Sequence, residues 1–145
     1  MIKKVLFLVL FNISIGAYAC SCNFNLDIKK TIENTPLILT GRVISIDVCE
    51  LEPGNPIKSI MIKVTEAFKG TKSNIVEIRT ALGEKGDCGE KFTKGEEYLI
   101  WGYDEFLSEK NDGVYGTSIC NWNGLVSEHK AGVEILRQMK SESKL

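Results

Sequence analysis

The sequence predicts a mainly β protein: a five-stranded OB-like Greek-key barrel with a flanking helix at each end, stapled by disulfide bonds. Three observations support this class. Five segments rich in β-branched residues follow one another without the βαβ alternation of a parallel sheet. Segments with helical spacing stand only before the first and after the last of them. All five cysteines lie from Cys20 onward. A two-sheet sandwich is the alternative architecture.

The chain begins as a secretory signal peptide does. Residues 1–19 combine a basic start, an apolar stretch and an Ala-x-Ala end, Ala17-Tyr18-Ala19. The apolar run of about 15 residues is shorter than the ~20 that a membrane-spanning helix needs. We therefore expect cleavage after Ala19, export to the extracellular space or the periplasm, and a mature chain that begins at Cys20. The alternative is a lipoprotein signal, in which Cys20 is acylated and anchors the protein to a membrane.

The predicted N-terminal helix covers residues 23–35, where Phe24, Ile28 and Ile32 recur at four-residue steps. The first strand has a bulge or bend at Gly41, because glycine inside a strand usually marks one. The five predicted strands are residues 36–48, 57–70, 74–80, 97–103 and 114–120.

The predicted connections carry the residues that interrupt strands. Residues 49–56 contain two prolines and a glycine and are expected to form a loop. Glycines punctuate the connection over residues 81–96 in the same way. The last helix is expected over residues 127–140, with Ser127 as its N-terminal cap.

Composition indicates one small, mildly acidic domain. Removal of residues 1–19 leaves 126 residues, enough for a single domain with a hydrophobic core, and we assign residues 20–145 to it. The remaining 16 basic and 19 acidic residues give a net charge of −3, so nucleic acid is not an expected partner. The five exported cysteines are expected to oxidise, and the residues alone leave 15 two-bridge pairings open.

No catalytic constellation is evident, and the sequence does not predict an enzyme. A catalytic cysteine or serine needs a base, usually histidine, and His129 stands between charged residues on the predicted last helix. We expect it to be a solvent-exposed surface residue. Glu96 and Glu97 stand at the start of a strand, where alternation places them on opposite faces, so they do not form a catalytic pair.

No intrinsic metal ion or cofactor is expected. Cys20 and Cys22 form a C-x-C motif without a second cysteine pair or a nearby histidine, which makes a poor zinc framework compared with disulfide formation. Trp101 and Tyr103 lie two apart on one strand, an arrangement that can stack bases or sugars. The core or the sheet surface is the more usual place for such a pair.

Four stretches taken together resemble the netrin-like domain: CSC at residues 20–22, FKG at 68–70, DCGEKFTKGEEYLIWG at 87–102 and TSIC at 117–120. They are most similar to the N-terminal domain of the tissue inhibitors of metalloproteinases and to short bacterial TIMP-like proteins. The resemblance covers nearly all of the chain from Cys20 to the last helix. It implies an OB-like barrel with flanking helices, in agreement with the strand count.

The resemblance also implies which cysteines pair. Cys20 would pair with Cys88 and Cys22 with Cys120, leaving Cys49 as the unpaired thiol. In the chain-entropy model each bridge closes a long loop and stabilises the fold by roughly 4–5 kcal/mol. The unpaired thiol is a buried bystander, a surface thiol or a dimer-forming link, and we favour burial because it continues an apolar strand.

The function that the resemblance implies is inhibition of a zinc metalloprotease by a monomeric protein. The free α-amine and the carbonyl oxygen of Cys20 would bind the protease's zinc, and Ser21 would enter the adjacent pocket. Gly86, Asp87 and residues 48–56 would flank this edge. The alternative is a non-inhibitory binding module of the cell envelope or the extracellular space, since a fold does not determine function.

Overall fold

The computed structural model describes residues 20–23, 27–84, 86–104 and 113–145. The signal-peptide prediction for residues 1–19 lies outside the described residues, as does Phe24 of the predicted N-terminal helix. Within the described ranges the chain forms two helices and six strands. In chain order they are helix α1 (Ile28–Asn34), strands β1 (Leu37–Glu52), β2 (Asn55–Lys69), β3 (Ile75–Thr80), β4 (Glu97–Gly102), β5 (Val114–Gly116) and β6 (Gly124–Leu125), and helix α2 (Lys130–Ser141).

The six strands form one sheet in the order β5-β3-β2-β1-β4-β6. Neighbouring strands are antiparallel except β3 and β5, which are parallel. The sheet is open, and an isolated bridge joins Tyr103, directly after β4, to Gly116 of β5. The mainly β class is confirmed. The sheet has one strand more than the sequence predicts, because a two-residue strand such as β6 is too short to carry a periodic pattern. The five-stranded OB-like architecture stays a prediction.

The first two strands form a long hairpin. The predicted loop over residues 49–56 is wrong, because β1 continues to Glu52 and β2 begins at Asn55. Gly54 has a φ of 84°, a conformation that favours glycine, so the chain reverses within two residues. Pro56 lies at an end of β2 where β1 is the only paired strand, because the pairing with β3 begins at Lys58, and edge positions of this kind tolerate proline.

The predicted bulge at Gly41 is confirmed. The register between β1 and β2 shifts between Thr40 and Gly41. A side chain at Gly41 would collide with the Ile62 side chain and the Lys63 backbone oxygen of β2. Glycine therefore allows the close approach of the two strands at the bulge.

Hydrophobic side chains pack on both faces of the sheet, because residues of β1 and β4 point alternately to one face and the other. One face carries Leu37, Leu39, Val43, Ile60, Ile62, Val76, Ile78, Tyr98 and Ile100. The other face carries Ile38, Phe68, Leu99 and Trp101, which pack with Ile32 of α1 and with Val133 and Leu136 of α2.

The aromatic pair on β4 does not form a stacking platform. Trp101 is 4% exposed and packs under the helices, with its ring centre 6.1 Å from that of Trp122. Its Nε1 has no hydrogen-bond partner among the described residues. Tyr103 lies in the bridge to Gly116. The core interpretation is therefore confirmed for Trp101.

Helix α1 is short and capped. The Asp27 side chain accepts hydrogen bonds from the amides of Lys29 and Lys30 at 3.1 and 3.3 Å. Ile32 is buried beneath the helix, whereas Ile28 is 41% exposed. The helix therefore presents a partly uncovered apolar face at its N-terminal end.

Helix α2 begins at Lys130, and the predicted cap at Ser127 is wrong. The residues from Leu125 to His129 form a turn instead, in which the amides of Glu128 and His129 bond the Leu125 carbonyl oxygen at 3.0 Å. His129 holds the N-cap position without a side-chain capping bond. Among the described residues, no helix is long and apolar enough to cross a membrane.

Candidate functional site

Two disulfide bonds attach the segment around Cys20 to two distant parts of the chain. Cys20 is bonded to Cys88 and Cys22 to Cys120, across sequence separations of 68 and 98 residues. The bonded residues have Cα–Cα distances of 5.6 and 5.1 Å. These are the two pairs that the resemblance implies, and they leave Cys49 as a free cysteine. Because the attachment points are two residues apart, the segment cannot rotate freely about either bond.

The two cysteine-bearing segments that receive these bonds are joined to each other. The Ile119 amide donates to the Cys88 carbonyl oxygen at 3.0 Å. The Ser118 hydroxyl accepts from the Cys120 amide at 3.2 Å and donates to Asn121 Oδ1 at 3.0 Å. The segment around Cys20 is thus attached to one connected part of the fold rather than to two independent loops.

Asn123 connects β4 to both cysteine-bearing segments. Its Oδ1 accepts from the Trp101 amide at 2.9 Å. Its Nδ2 lies within hydrogen-bond distance of Thr117 Oγ1 at 2.8 Å, Ser118 O at 3.1 Å and Glu90 Oε2 at 3.2 Å. Asn123 is not among the residues that the sequence predicts for this site. The signal available was the run of polar side chains on either side of the last cysteine.

The loop before Cys88 is organised by Asp87. Asp87 Oδ1 accepts hydrogen bonds from the amides of Gly83 at 2.7 Å and Gly89 at 2.9 Å. A side chain at Gly89 would collide with the backbone of Ala81 and Gly83, so the loop can close only around glycine.

The environment of Asp87 favours its ionised form. Desolvation raises the pKa of this carboxyl group, but hydrogen bonds from Gly89 and Gly83 and the charge of Lys58 together lower the pKa below its usual value. Lys58 belongs to β2, where it pairs with Thr80 at the end of β3, directly before the connection that contains Asp87.

The structure brings the predicted contact residues to one surface. Ser21, Gly86 and Asp87 are exposed, and Cys20 is half-buried. The Cys20 Sγ lies 3.5 Å from the Gly86 carbonyl oxygen, next to Asp87. Residues 48–56, predicted as a flanking loop, are instead the tip of the β1–β2 hairpin.

Cys49 is exposed on β1, and the expectation that it is buried is wrong. β4 pairs with β1 only as far as Arg42, so the outer half of β1 has a neighbouring strand on one side only. The apolar run that continues to Cys49 therefore leaves the core, as the 66% exposure of Val48 also shows.

His129 is half-buried, so the expectation of a solvent-exposed histidine is also wrong. Its Nδ1 lies 3.1 Å from the Leu125 carbonyl oxygen. The ring packs directly on Gly124, where any side chain would collide with it. The short strand β6 supplies both contacts, and no periodic pattern predicts a strand at these two residues.

The described residues offer no candidate metal centre, and their disulfide bonds bear on the compartment. Among residues 20–23, 27–84, 86–104 and 113–145, no cluster of three or more His, Cys, Asp or Glu side chains could hold a metal ion. The two disulfide bonds indicate an oxidising compartment, such as the extracellular space or the periplasm. No protein-family model and no curated protein matches the chain. The netrin-like resemblance therefore stays a prediction from motifs.

Proposed function

We propose that the chain, cleaved after Ala19, is a secreted inhibitor of a zinc metalloprotease. The α-amine and the carbonyl oxygen of Cys20 are the proposed ligands of the protease's zinc. The observation that carries the proposal is the attachment of Cys20 and Cys22 to two segments that are hydrogen-bonded to each other. The motif resemblance suggests zinc chelation, and a chain end that is already rigid is suited to it.

The coordination chemistry is reasonable for a free N-terminus. A catalytic zinc ion keeps one coordination position open, normally occupied by water. An α-amine with a pKa near 8 loses its proton to a metal ion at modest cost. Because two disulfide bonds hold Cys20 and Cys22 before binding, the complex does not incur the ordering entropy of a flexible peptide.

Neighbouring residues have the exposure that a protease contact requires. The small Ser21 side chain is exposed directly after the proposed zinc ligands and enters the adjacent pocket in this proposal. Gly86 and Asp87 form the flanking edge. The ionised carboxylate of Asp87 favours a protease surface that is basic beside the zinc cleft.

The proposal depends on processing and on compartment. Removal of residues 1–19 is required, because a peptide bond to Ala19 leaves no α-amine at Cys20. Residues 20–145 act as a single non-enzymatic domain and as a monomer, and the protease is the partner. Secretion to an oxidising compartment accounts for both the disulfide bonds and access to an extracellular protease.

The test compares the mature protein with a variant that retains one alanine before Cys20. Both are assayed against the catalytic domain of a matrix-type zinc metalloprotease, and the inhibition constant is measured. We expect the added residue to weaken inhibition by about 100-fold or more, because it removes the ligand atom of a central contact. A variant with one alanine added after Leu145 is the matched control and should inhibit normally. Equal inhibition by all three proteins would exclude zinc chelation.

The intact mass of the exported protein tests the processing step separately. A mass that begins at an unmodified Cys20, with two disulfide bonds and one free thiol, is the expected result. A mass that includes a lipid on Cys20 would exclude chelation, because acylation consumes the α-amine. That result would identify a membrane-anchored binding module instead.

A further inference from the structure

An apolar groove lies between the two helices, on the face of the sheet opposite the larger core cluster. Its volume is about 580 Å³, within the range of roughly 300–1,000 Å³ that small-molecule sites occupy. Leu99 and Trp101 of β4 form its base, and Ile32 of α1 and Leu136 of α2 form its buried sides. Its lining is almost entirely apolar.

Three isoleucines from different parts of the chain border the groove and remain uncovered. Ile28 of α1 is 41% exposed, Ile119 before the last cysteine is 43% exposed, and Ile135 of α2 is 55% exposed. Exposed apolar side chains that converge on one concavity indicate a binding site more strongly than scattered ones do.

A glycine on α2 keeps the groove open. Gly132 lines it, and a Cβ atom added there would meet no other atom within 4 Å. Glycine inside a helix costs about 1 kcal/mol relative to alanine. Gly132 therefore makes α2 less stable than alanine would, but it leaves the groove free of a side chain at this position.

The size and composition of this surface favour a small ligand over a protein. A stable protein interface buries about 800 Å² on each partner, around an apolar centre. Among the described residues that line the groove, the exposed large hydrophobic side chains are these three isoleucines, and the exposed residues Lys29, Lys130 and Glu134 lie beside them on the helices. The other large exposed hydrophobic side chains of the described residues are on β1 and β3, away from the helices.

The part of the groove beside the start of α2 favours a negative charge. His129 lines the groove and holds the N-cap position of α2, and its hydrogen bonds among the described residues use only Nδ1. Helix α2 starts here with no capping side chain and no acidic residue in its first turn. The amides of a helix N-terminus carry a partial positive charge that attracts anions.

We propose that this groove binds a fatty acid, with the acyl chain between α1 and α2 and the carboxylate at the mouth, beside His129 and the first turn of α2. The hydrocarbon chain is the feature that matches the apolar lining, and the carboxylate matches the charge preference of the helix start. The groove shares Ile119 with the segment that receives the Cys22–Cys120 bond, but the proposed ligand does not depend on protease inhibition.

The intrinsic tryptophan fluorescence of the protein can report whether this groove is occupied. It contains two tryptophans, and both Trp101 and Trp122 line the groove. Sodium dodecanoate is titrated into the oxidised protein below the micelle concentration, and the intrinsic fluorescence is recorded. We expect a saturable change in the emission, and dodecanol should bind about threefold more weakly because it lacks the carboxylate. The absence of a saturable change would overturn the proposal, and equal or tighter binding of dodecanol would overturn the fatty-acid assignment.

Filling the groove from α2 tests the location. Gly132→Leu should weaken dodecanoate binding about tenfold or more, because the new side chain occupies the path of the acyl chain. The variant should be at least as stable as the unmodified protein, since it removes a helical glycine. Gln138→Leu is the matched control: it adds the same side chain at an exposed position of α2 outside the groove lining and should bind normally. Normal binding by Gly132→Leu, or a fluorescence change that sedimentation shows to be dimer formation, would overturn the proposal.

Discussion

At the scale of single residues, Asp87 joins local structure to the candidate site. Its carboxylate bonds the amides of Gly83 and Gly89 and thereby fixes the loop that ends at Cys88. Cys88 in turn holds Cys20. A polar contact within this exposed loop therefore helps to set the position of the chain end on which the proposed inhibition depends.

The pKa of Asp87 leads to a prediction about pH. Because this pKa is lowered in the folded state, ionised Asp87 contributes stability above its unfolded pKa, near 3.9, and loses that contribution as the pH falls through the lower folded value. We expect Asp87→Asn to reduce the free energy of unfolding by about 1 kcal/mol at pH 7. The difference from the unmodified protein should become smaller as the pH is lowered from 7 to 2. Urea unfolding at the two pH values measures both quantities.

The control for this prediction is Asp47→Asn, which alters an exposed carboxylate on β1 outside the loop. It should leave the free energy of unfolding at pH 7 within about 0.5 kcal/mol of the unmodified protein. A deficit of Asp87→Asn that is as large at pH 2 as at pH 7 would show that the carboxylate charge is not the cause.

At the scale of elements, the sequence predicts those structures that have a regular pattern. β2 and β3 lie where their alternating and β-branched residues predict strands, and α2 follows its helical spacing. β4 also lies where it is predicted, although it is buried over most of its length and does not alternate. The sequence does not predict β6, because two residues cannot show a period. The sequence also does not predict the extension of β1 through residues 49–52, because the nearby prolines and glycine are typical of a loop. In the structure, the pairing of β1 with β2 continues to the turn. Tertiary pairing overrides local composition in both places.

One contact between elements gives a second prediction. Lys69, the last residue of β2, donates from Nζ to the carbonyl oxygens of Ile32 at 2.7 Å and Glu33 at 2.8 Å, near the end of α1. A cation is favourable at a helix C-terminus, where carbonyl groups lack helical partners. We expect Lys69→Met, which keeps the unbranched side chain, to lower the free energy of unfolding by about 1–2 kcal/mol.

Denaturant unfolding, together with hydrogen exchange of the α1 amides, checks this prediction. Exchange should accelerate in α1 before it does in the sheet, because the contact attaches the helix to β2. Lys63→Met is the control, since Lys63 is an exposed lysine of the same strand. Equal destabilisation by the two substitutions would contradict a specific role for Lys69 at the helix end.

At the scale of the whole molecule, the candidate site depends on disulfide bonds between cysteines that lie far apart in the sequence. The residues alone left 15 cysteine pairings open, and the motif resemblance selected the two that the structure contains. Neither source indicated Asn123 or the groove between the helices. Both depend on where separate elements meet in space, and a one-dimensional pattern does not record that. The larger share of the proposed inhibitory surface was therefore predictable, and its supporting contacts were not.

The final prediction concerns the bond between Cys22 and Cys120. Closing a loop of about 100 residues stabilises a fold by about 4–5 kcal/mol in the chain-entropy model, so the double variant Cys22→Ala/Cys120→Ala should lose a similar amount in denaturant unfolding. Its inhibition of the metalloprotease should also weaken by about tenfold or more, because Cys20 then has a single attachment and its chelating atoms must be ordered on binding.

Cys49→Ser is the matched control for this variant, because it removes a cysteine and leaves both bridges in place. It should inhibit and unfold normally. The two measurements separate stability from function, since inhibition is assayed under conditions where the double variant is still folded. Full potency in a folded protein without the Cys22–Cys120 bond would mean that a rigid chain end is not needed for inhibition. Loss of potency without loss of stability would mean that the bond acts on the geometry of Cys20 alone.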